Sequence, residues 1–473
     1  MQRIPFYFLI VFLFAALLRA REEMFRSTIA GPDGACRQFW EAIRDTTFVA
    51  RHPALPENMW QRIVPLGLHA DAGAFSHQDS LYTISWNNLV GTGQTLTKRF
   101  LFTVLRKSEM SEDTLDAALR IMSWSFNILI EGVTPSVDWV GRPLRGGGQP
   151  LAGSWRGALC QVRGDWAFFK ECFHFPQWNG ATRMCWMCRA SSVIENLLWT
   201  NCRANAGWRQ TLWTDQAYRR YLRREGLAIP ILLASVVGMR LENIMIDVLH
   251  TVDLGISSHI LANVFWIFVI VRGVLGGATQ AEKVKKLHED LNTWYRTAKV
   301  ATRIQGKITI ERLRTTGQWP KLKAKAAATR HMAAYALHLA TTHRDGSEGD
   351  ALILAICQML VRFYQILESE SQFLGADART ELPILGQRLA EVYATLSRRA
   401  LDAGQKLWKM NPKLHLWEHL TEHQALKFGN PRYYSTYADE DLVGKMIEVA
   451  QSVHPKTLAC NVIFKWLHIC FDQ

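Results

Sequence analysis

Residues 155–169 read WRGALCQVRGDWAFF. The run from Ala158 to Val162 has the composition of a buried strand, and it ends at Asp165. Arg163-Gly164-Asp165 also spells an adhesive tripeptide, which would place the protein outside the cell. Such a motif works from an exposed, flexible loop. Here ALCQV leads into it and WAFF leaves it, so both flanks are apolar. The stronger reading makes Asp165 a carboxylate held at the end of a strand, where it could bind a metal ion.

Upstream, IVPLGLHADAG (63–73) reads as a buried strand ending at Asp71, and SLYTISWNNLV (80–90) as a second strand. RFLFTVLRK (99–107) is a third, with Phe100, Phe102 and Val104 on one face. The links are short, so the three are antiparallel neighbours. SEDTLDAALRIMSWSFNILIEG (111–132) is a helix that Ser111 or Asp113 can cap, with Leu115, Leu119, Met122 and Phe126 on one stripe. A loop containing RGGGQP leads to the strand at 158–162.

Downstream, helical periods dominate from about 190 to 425: 228–239, 241–272, 279–299, 321–342, 349–369, 381–408 and 413–426. The apolar run from Ile260 to Val271 suits a buried core helix better than a membrane span, which needs about 20 residues. After a turn at Gly429 to Pro431, a last helix begins near Ala438 and carries Glu440. The order strand, strand, strand, helix, strand, then helices, then an acidic helix matches a ribonuclease H-like core. The expected fold class is therefore α/β with a large all-α part: a mixed sheet interrupted by a long helical insertion. The boundaries are 1–22 (a hydrophobic leader), 23–190 (first part of the core), 191–425 (the insertion) and 426–473 (the end of the core).

Composition bounds the function. The chain has 473 residues, 48% apolar and 21% charged, as a folded globular protein does. A net charge of +13 suits a polyanionic partner, nucleic acid or an acidic membrane. Nine cysteines, odd in number and scattered, do not form a disulfide framework and favour a reducing compartment. The N-terminal MQRIPFYFLIVFLFAALLRAREE points the other way: Ile4 to Leu18 between arginines is short for a span and has the shape of a secretory signal. It is either a genuine leader or an artefact of the assigned start.

Two-metal phosphodiester chemistry needs carboxylates around a pair of hard cations. In a ribonuclease H-like sheet the ends of strands one and four lie side by side, which places Asp71 and Asp165 together. Glu440 is the best-placed third acid, with Asp439 and Asp441 as rivals. The competing reading is that strand-end aspartates simply cap turns.

Four segments carry a family resemblance: HADAG; GDW…FP followed by MCWMCRAS; IMIDVLHTVDLGISSHIL; and PKLHLWEHL…FGNPRYYSTYADEDLVGKM. On these the chain resembles the DDE transposases of the CACTA and Plavaka type, in the group with Mirage and Chapaev elements, within the ribonuclease H-like superfamily. In that family the second acid is followed by a CxxC, then by a hydrophobic residue plus histidine, then by the third acid. The matching positions are Asp165, Cys185 and Cys188, Leu249-His250, and Glu440. The resemblance implies a catalytic triad of Asp71, Asp165 and Glu440 on Mg²⁺ or Mn²⁺, DNA cleavage and strand transfer, a nuclear location and a homo-oligomer. No DNA-binding module precedes the core, so a truncated or domesticated relative is also expected.

Cys185 and Cys188 have the gap of a zinc knuckle. The best third ligand is His250 and the candidate fourth His259, with Cys202 and His174 as rivals; the alternative is two buried reduced thiols. The resemblance favours a structural Zn²⁺, with Asp247 orienting His250. HLTEH (419–423) matches an inverted zinc-protease pattern, but His415, His419 and His423 equally make one polar helical stripe. Lys307, Arg312, Arg314, Lys321, Lys323, Lys325 and Arg330 form a basic stretch expected to track DNA phosphates on a helix, with RQTLWTDQAYRRYLRRE (209–225) as a second cluster. A solvated helix face is the plainer reading of both. The alternatives to an active transposase are a catalytically inactive relative that binds nucleic acid or protein, and a secreted or membrane-tethered protein directed by residues 1–20.

Overall fold

The computed structural model describes residues 22–92, 98–177 and 180–471, the side chains of 470 and 471 excepted. The leader, 1–21, lies outside the described residues, and with it the secretory reading. The described residues divide into two compact units: those up to 175, 213–245 and those from 434 onward form the first, and those in 176–212 with 246–433 the second. The helical unit therefore starts earlier than the expected 191 and runs past 425, and 213–245 belongs with the sheet.

The first unit is built on four strands, β1 (Ile63–Ala74), β2 (Ser80–Asn88), β3 (Arg99–Arg106) and β4 (Arg156–Arg163). Their spatial order is β3-β2-β1-β4. The first three are antiparallel neighbours, and β4 runs parallel to β1. Together with the many helices this is an α/β architecture with a large helical part. A further extended stretch lies along β4: Ile244 bridges Val162 in parallel, and the Met245 N–H donates to the Val162 carbonyl at 2.8 Å. The helix expected over 241–272 accordingly starts only at Leu249, because Ile244 and Met245 spend their backbone groups on the sheet edge.

Helices cover both faces of this sheet. Helix α1 (Ala35–Ala42) is tied to β1 by the Trp40 indole, which donates to the Ile63 carbonyl at 2.7 Å. Helix α2 (Thr114–Glu131) connects β3 to β4, and its Leu129 closes on Gly157 beside Leu66 of β1. Helix α3 (Trp166–Phe173) follows β4 directly, and α4 (Asp215–Arg224) comes later in the unit.

The second unit contains α5 (Leu249–Val271), α6 (Gln280–Thr297), α7 (Ala326–His343), α8 (Glu348–Ser369), α9 (Ala376–Asp402) and α10 (412–428). Their starts follow helix-capping rules. Thr279 and Glu282 form a capping box at α6, Ser347 caps α8, and Asn411 with Pro412 starts α10. Helices α5 and α8 are long and apolar enough to cross a membrane by length and composition, but 78% of the apolar window of α5 is buried inside the protein.

The chain then returns to the first unit with α11 (Tyr437–Gln451) and α12 (Leu458–Phe471). A Cβ on Gly73 would sit 2.2 Å from Ile447 Cδ1 and 3.6 Å from Val443, so this glycine lets α11 lie directly on the end of β1. Residues 66 and 73 differ by an odd number along a strand, so α2 and α11 cover opposite faces.

Candidate functional site

The parallel register of β1 and β4 pairs His69 with Arg163. β4 ends at this pair, and Asp165 follows two residues later; Asp71, expected at the end of its strand, lies inside β1 opposite Thr83 of β2, and β1 continues to Ala74. Asp71, His69 and Gly73 share the face of β1 that α11 covers. Asp165 is the N-cap of α3: its carboxylate accepts from the Phe168 N–H at 2.7 Å. The capping reading of this aspartate is therefore observed. On α11, Glu440 falls on the stripe of Val443 and Ile447, the two residues that close on Gly73. Asp71, Asp165 and Glu440 are all half-buried.

The neighbouring acids have other fates. Asp439 is 1% exposed and ion-paired to Arg99 at 2.7 Å and Arg163 at 3.0 Å. Burial pushes its carboxyl up, but Arg163, then Arg99 and His69, more than reverse this and hold it well below the usual carboxylate range. Asp441 is exposed. Arg163 is itself 1% exposed, so the Arg-Gly-Asp tripeptide is no adhesive loop. A Cβ on Gly67 would lie 2.7 Å from the Arg163 guanidinium, so the side chain crosses β1 where there is none. His69, fully buried among Asp439, Asp71, Arg163 and Arg99, is pushed down by burial, which the Asp439 and Asp71 carboxylates oppose, and neither of its ring nitrogens is hydrogen-bonded.

The second unit holds a different donor set. Cys185, Cys188, His415 and His419 are buried, and their donor atoms all lie within 4.8 Å of one another. Among the described residues the acidic trio forms no such group. The two cysteines come from the loop region before 212, and the two histidines from successive turns of α10. His415 Nε2 is 3.2 Å from Cys188 Sγ, His419 Nε2 is 3.4 Å from it, and the two Nε2 atoms are 3.1 Å apart. Ligands around a tetrahedral Zn²⁺ stand roughly 3.3–3.8 Å apart, so the spacing fits. Burial pushes His415 down to about 3 and His419 to about 4, so both imidazoles are neutral and offer a lone pair. Neither Nδ1 has a hydrogen-bond partner. The Trp208 ring packs edge-on against both imidazoles, with centroids at 4.4 and 5.3 Å. None of the described cysteines is in a disulfide.

This corrects the expected zinc ligands. His250 is turned to Asp247, with Nδ1 2.8 Å from Oδ2. His259 points its Nδ1 at the Pro320 carbonyl, 3.1 Å away. Both histidines are locally satisfied and outside the cluster. The missed signal was His-x-x-x-His, which sets two imidazoles on one helical face. The protease pattern dissolves with it: His419 belongs to the Cys/His cluster, and Glu418 and Glu422 are both ion-paired to Arg209.

The basic stretch does not form the expected helix. Lys321, Lys323 and Lys325 are exposed and precede α7 on non-helical backbone, alternating with the buried Leu322 and half-buried Ala324. The Lys323 N–H donates to the Arg312 carbonyl at 2.7 Å and the Lys321 N–H to that of Leu313 at 2.9 Å, which ties 321–323 to the 312–313 backbone before a bend at Ala324. Lys307 is exposed. The arginines are committed locally: Arg312 donates to three backbone carbonyls, Arg314 stacks on Trp266, and Arg330 pairs with Glu368.

No protein-family model matches this chain, and no curated protein matches it significantly.

Proposed function

We propose that the protein is a DDE-type, metal-dependent DNA-cleaving and strand-transferring protein of transposase descent, with a ribonuclease H-like core and a zinc-stabilised helical insertion, acting on DNA in the nucleus. What supports this reading is the parallel pairing of β1 with β4, which runs as far as His69 opposite Arg163, two residues before Asp71 and Asp165, together with the packing of α11, the helix that carries Glu440, on β1 at Gly73. Three carboxylates are the hard oxygen donors that Mg²⁺ or Mn²⁺ selects. Such ions, when bound, lower the pKa of an attacking water or hydroxyl and stabilise a leaving oxygen. The chain's own part is positional. The hydrogen bond from the Phe168 N–H fixes Asp165, and the Arg99–Asp439–Arg163 ion pairs fix the start of α11.

The acidic trio is more open than the Cys/His cluster, which favours a second reading: a catalytically inactive relative that binds nucleic acid through the same fold. One experiment separates them. Purified protein is incubated with labelled DNA in Mg²⁺ or Mn²⁺, beside a DNA-binding measurement. The catalytic reading expects cleavage, with Glu440→Gln and Asp71→Asn each losing at least about 100-fold while binding persists, as removal of a metal ligand worth several kcal/mol requires. Asp441→Asn stays near wild type. Wild-type binding without cleavage supports the inactive relative; undiminished cleavage by Glu440→Gln defeats the assignment.

A further inference from the structure

The helical unit contains a cavity of about 570 Å³ between α5, α8, α9 and the chain leading to α10. Its lining includes Trp266 and Trp408 together with Arg272, Arg314, Arg399 and Lys406, against one carboxylate, Asp350. We propose that this cavity is a nucleotide-binding pocket, taking a planar base on its aromatic side and a phosphate at its cationic rim.

The charge excess selects an anion. Asp350 is answered by Arg272, whose two terminal nitrogens each lie 2.6 Å from a carboxylate oxygen, so this pair is a neutral wall. Arg399 and Lys406 remain for an anion, since Arg314 is stacked on Trp266. Arg399 pairs with Glu348, in a surface bridge whose partners are 43% and 75% exposed. Such bridges contribute little, so a phosphate can take Glu348's place with stronger, charge-assisted hydrogen bonds. Lys406 donates to the Gly317 carbonyl at 3.1 Å, which uses one of its three N–H groups.

Another part of the lining selects a flat π system. The Arg314 guanidinium lies 4.8 Å from the centroid of the half-buried Trp266 ring, and its Nε is held by the Gln318 carbonyl at 2.7 Å. A base can stack on an aromatic ring or on a guanidinium plane. Trp408 is part of the wall rather than a free ring: it is 2% exposed, and its backbone N–H donates to Asn263 Oδ1 at 2.9 Å. The volume lies in the range of small-molecule pockets. Aromatic surface, anion-binding rim and size together describe a nucleotide, either a free nucleoside phosphate or an unpaired nucleotide within a DNA strand. The acidic trio plays no part in this, and the test below does not use cleavage.

The test uses the full-length protein and a short single-stranded DNA containing 2-aminopurine, whose fluorescence falls when the base stacks. Wild type should quench it, and Trp266→Ala and Lys406→Glu should each weaken binding about tenfold, since one stacked base is worth roughly that. Lys406→Glu is a surface change, so it carries the test if Trp266→Ala fails to fold. ATP and unlabelled duplex DNA are the competitors. Displacement by ATP assigns the pocket to free nucleotides; displacement by single strands but not by ATP assigns it to an unpaired nucleotide in a strand. Absence of quenching, or quenching unchanged in Lys406→Glu and displaced equally by duplex, overturns the proposal.

Discussion

Asp439 and Glu440 are adjacent on α11, and their different surroundings lead to different predictions. Successive helical residues point about 100° apart, so both cannot face one site. Asp439 turns into the sheet and neutralises Arg99 and Arg163, and Arg163 also donates to Asn87. Asp439→Asn removes one partner of a buried ion-pair network and leaves two buried guanidiniums short of charge. The expected cost is about 3–5 kcal/mol, read as a lowered denaturation midpoint. The pH dependence has a fixed sign. The folded carboxyl lies well below its ordinary value of 3.8, so its stabilising contribution is complete above that pH. It is lost as pH falls from there through the folded value. Wild type should therefore lose stability steeply in acid below about pH 4, and Asp439→Asn should lack that part of the slope. An equal acid slope in both proteins would show that Asp439 is not held ionised by its arginines. Glu440→Gln, by contrast, leaves the clamp intact and should change the melting midpoint little.

At the scale of elements, sequence pattern served the sheet better than it served the metal. Strands β1 to β3 and helix α2 were legible because alternation and a single apolar stripe are local signals. Helix α3 was missed because Asp165 was read as a strand end alone, although its cap position was visible in Asp165-Trp166-Ala167-Phe168. The start of α5 was misread because IMIDVLH is apolar without a period of its own, and only pairing with Val162 makes its first residues extended. Ligands drawn from positions 188 and 415 are joined by tertiary folding, which no spacing rule between them encodes. The cluster makes its own prediction. Protein prepared without chelators should carry one equivalent of zinc, and Cys185→Ser or His415→Ala should abolish it. His250→Ala and His259→Ala should retain it. The donor set pins the 176–212 segment to α10, so loss of the ion should lower the melting midpoint of wild type toward that of Cys185→Ser. Metal analysis finding full zinc in His415→Ala would return the site to other ligands.

Across the whole molecule, the charge of +13 becomes informative once its committed part is removed. Arg99 and Arg163 are bound to Asp439, Arg209 to Glu418 and Glu422, and Arg272 to Asp350, so these paired cations offer little to a polyanion. The exposed Lys307, Lys321, Lys323 and Lys325 are not tied in this way. Side chains two apart on an extended stretch point the same way at roughly 6.5–7 Å spacing, close to the separation of successive phosphates along a strand. Lys321 and Lys323 are therefore set to contact one backbone together, and Lys325 follows after a bend at Ala324. Each phosphate neutralised adds about 0.9 to the slope of log affinity against log salt on duplex DNA, and about 0.7 on a single strand. Replacing all three lysines by alanine should lower the duplex slope by about 2 to 3 and weaken binding alike on every sequence tested. Replacing Arg312 should leave the slope nearly unchanged, because its guanidinium is spent on backbone carbonyls, and should show itself in stability instead. A triple-lysine variant that keeps the wild-type slope would place the DNA path elsewhere, with the exposed Arg220, Arg223 and Arg224 of α4 as the next cations to remove.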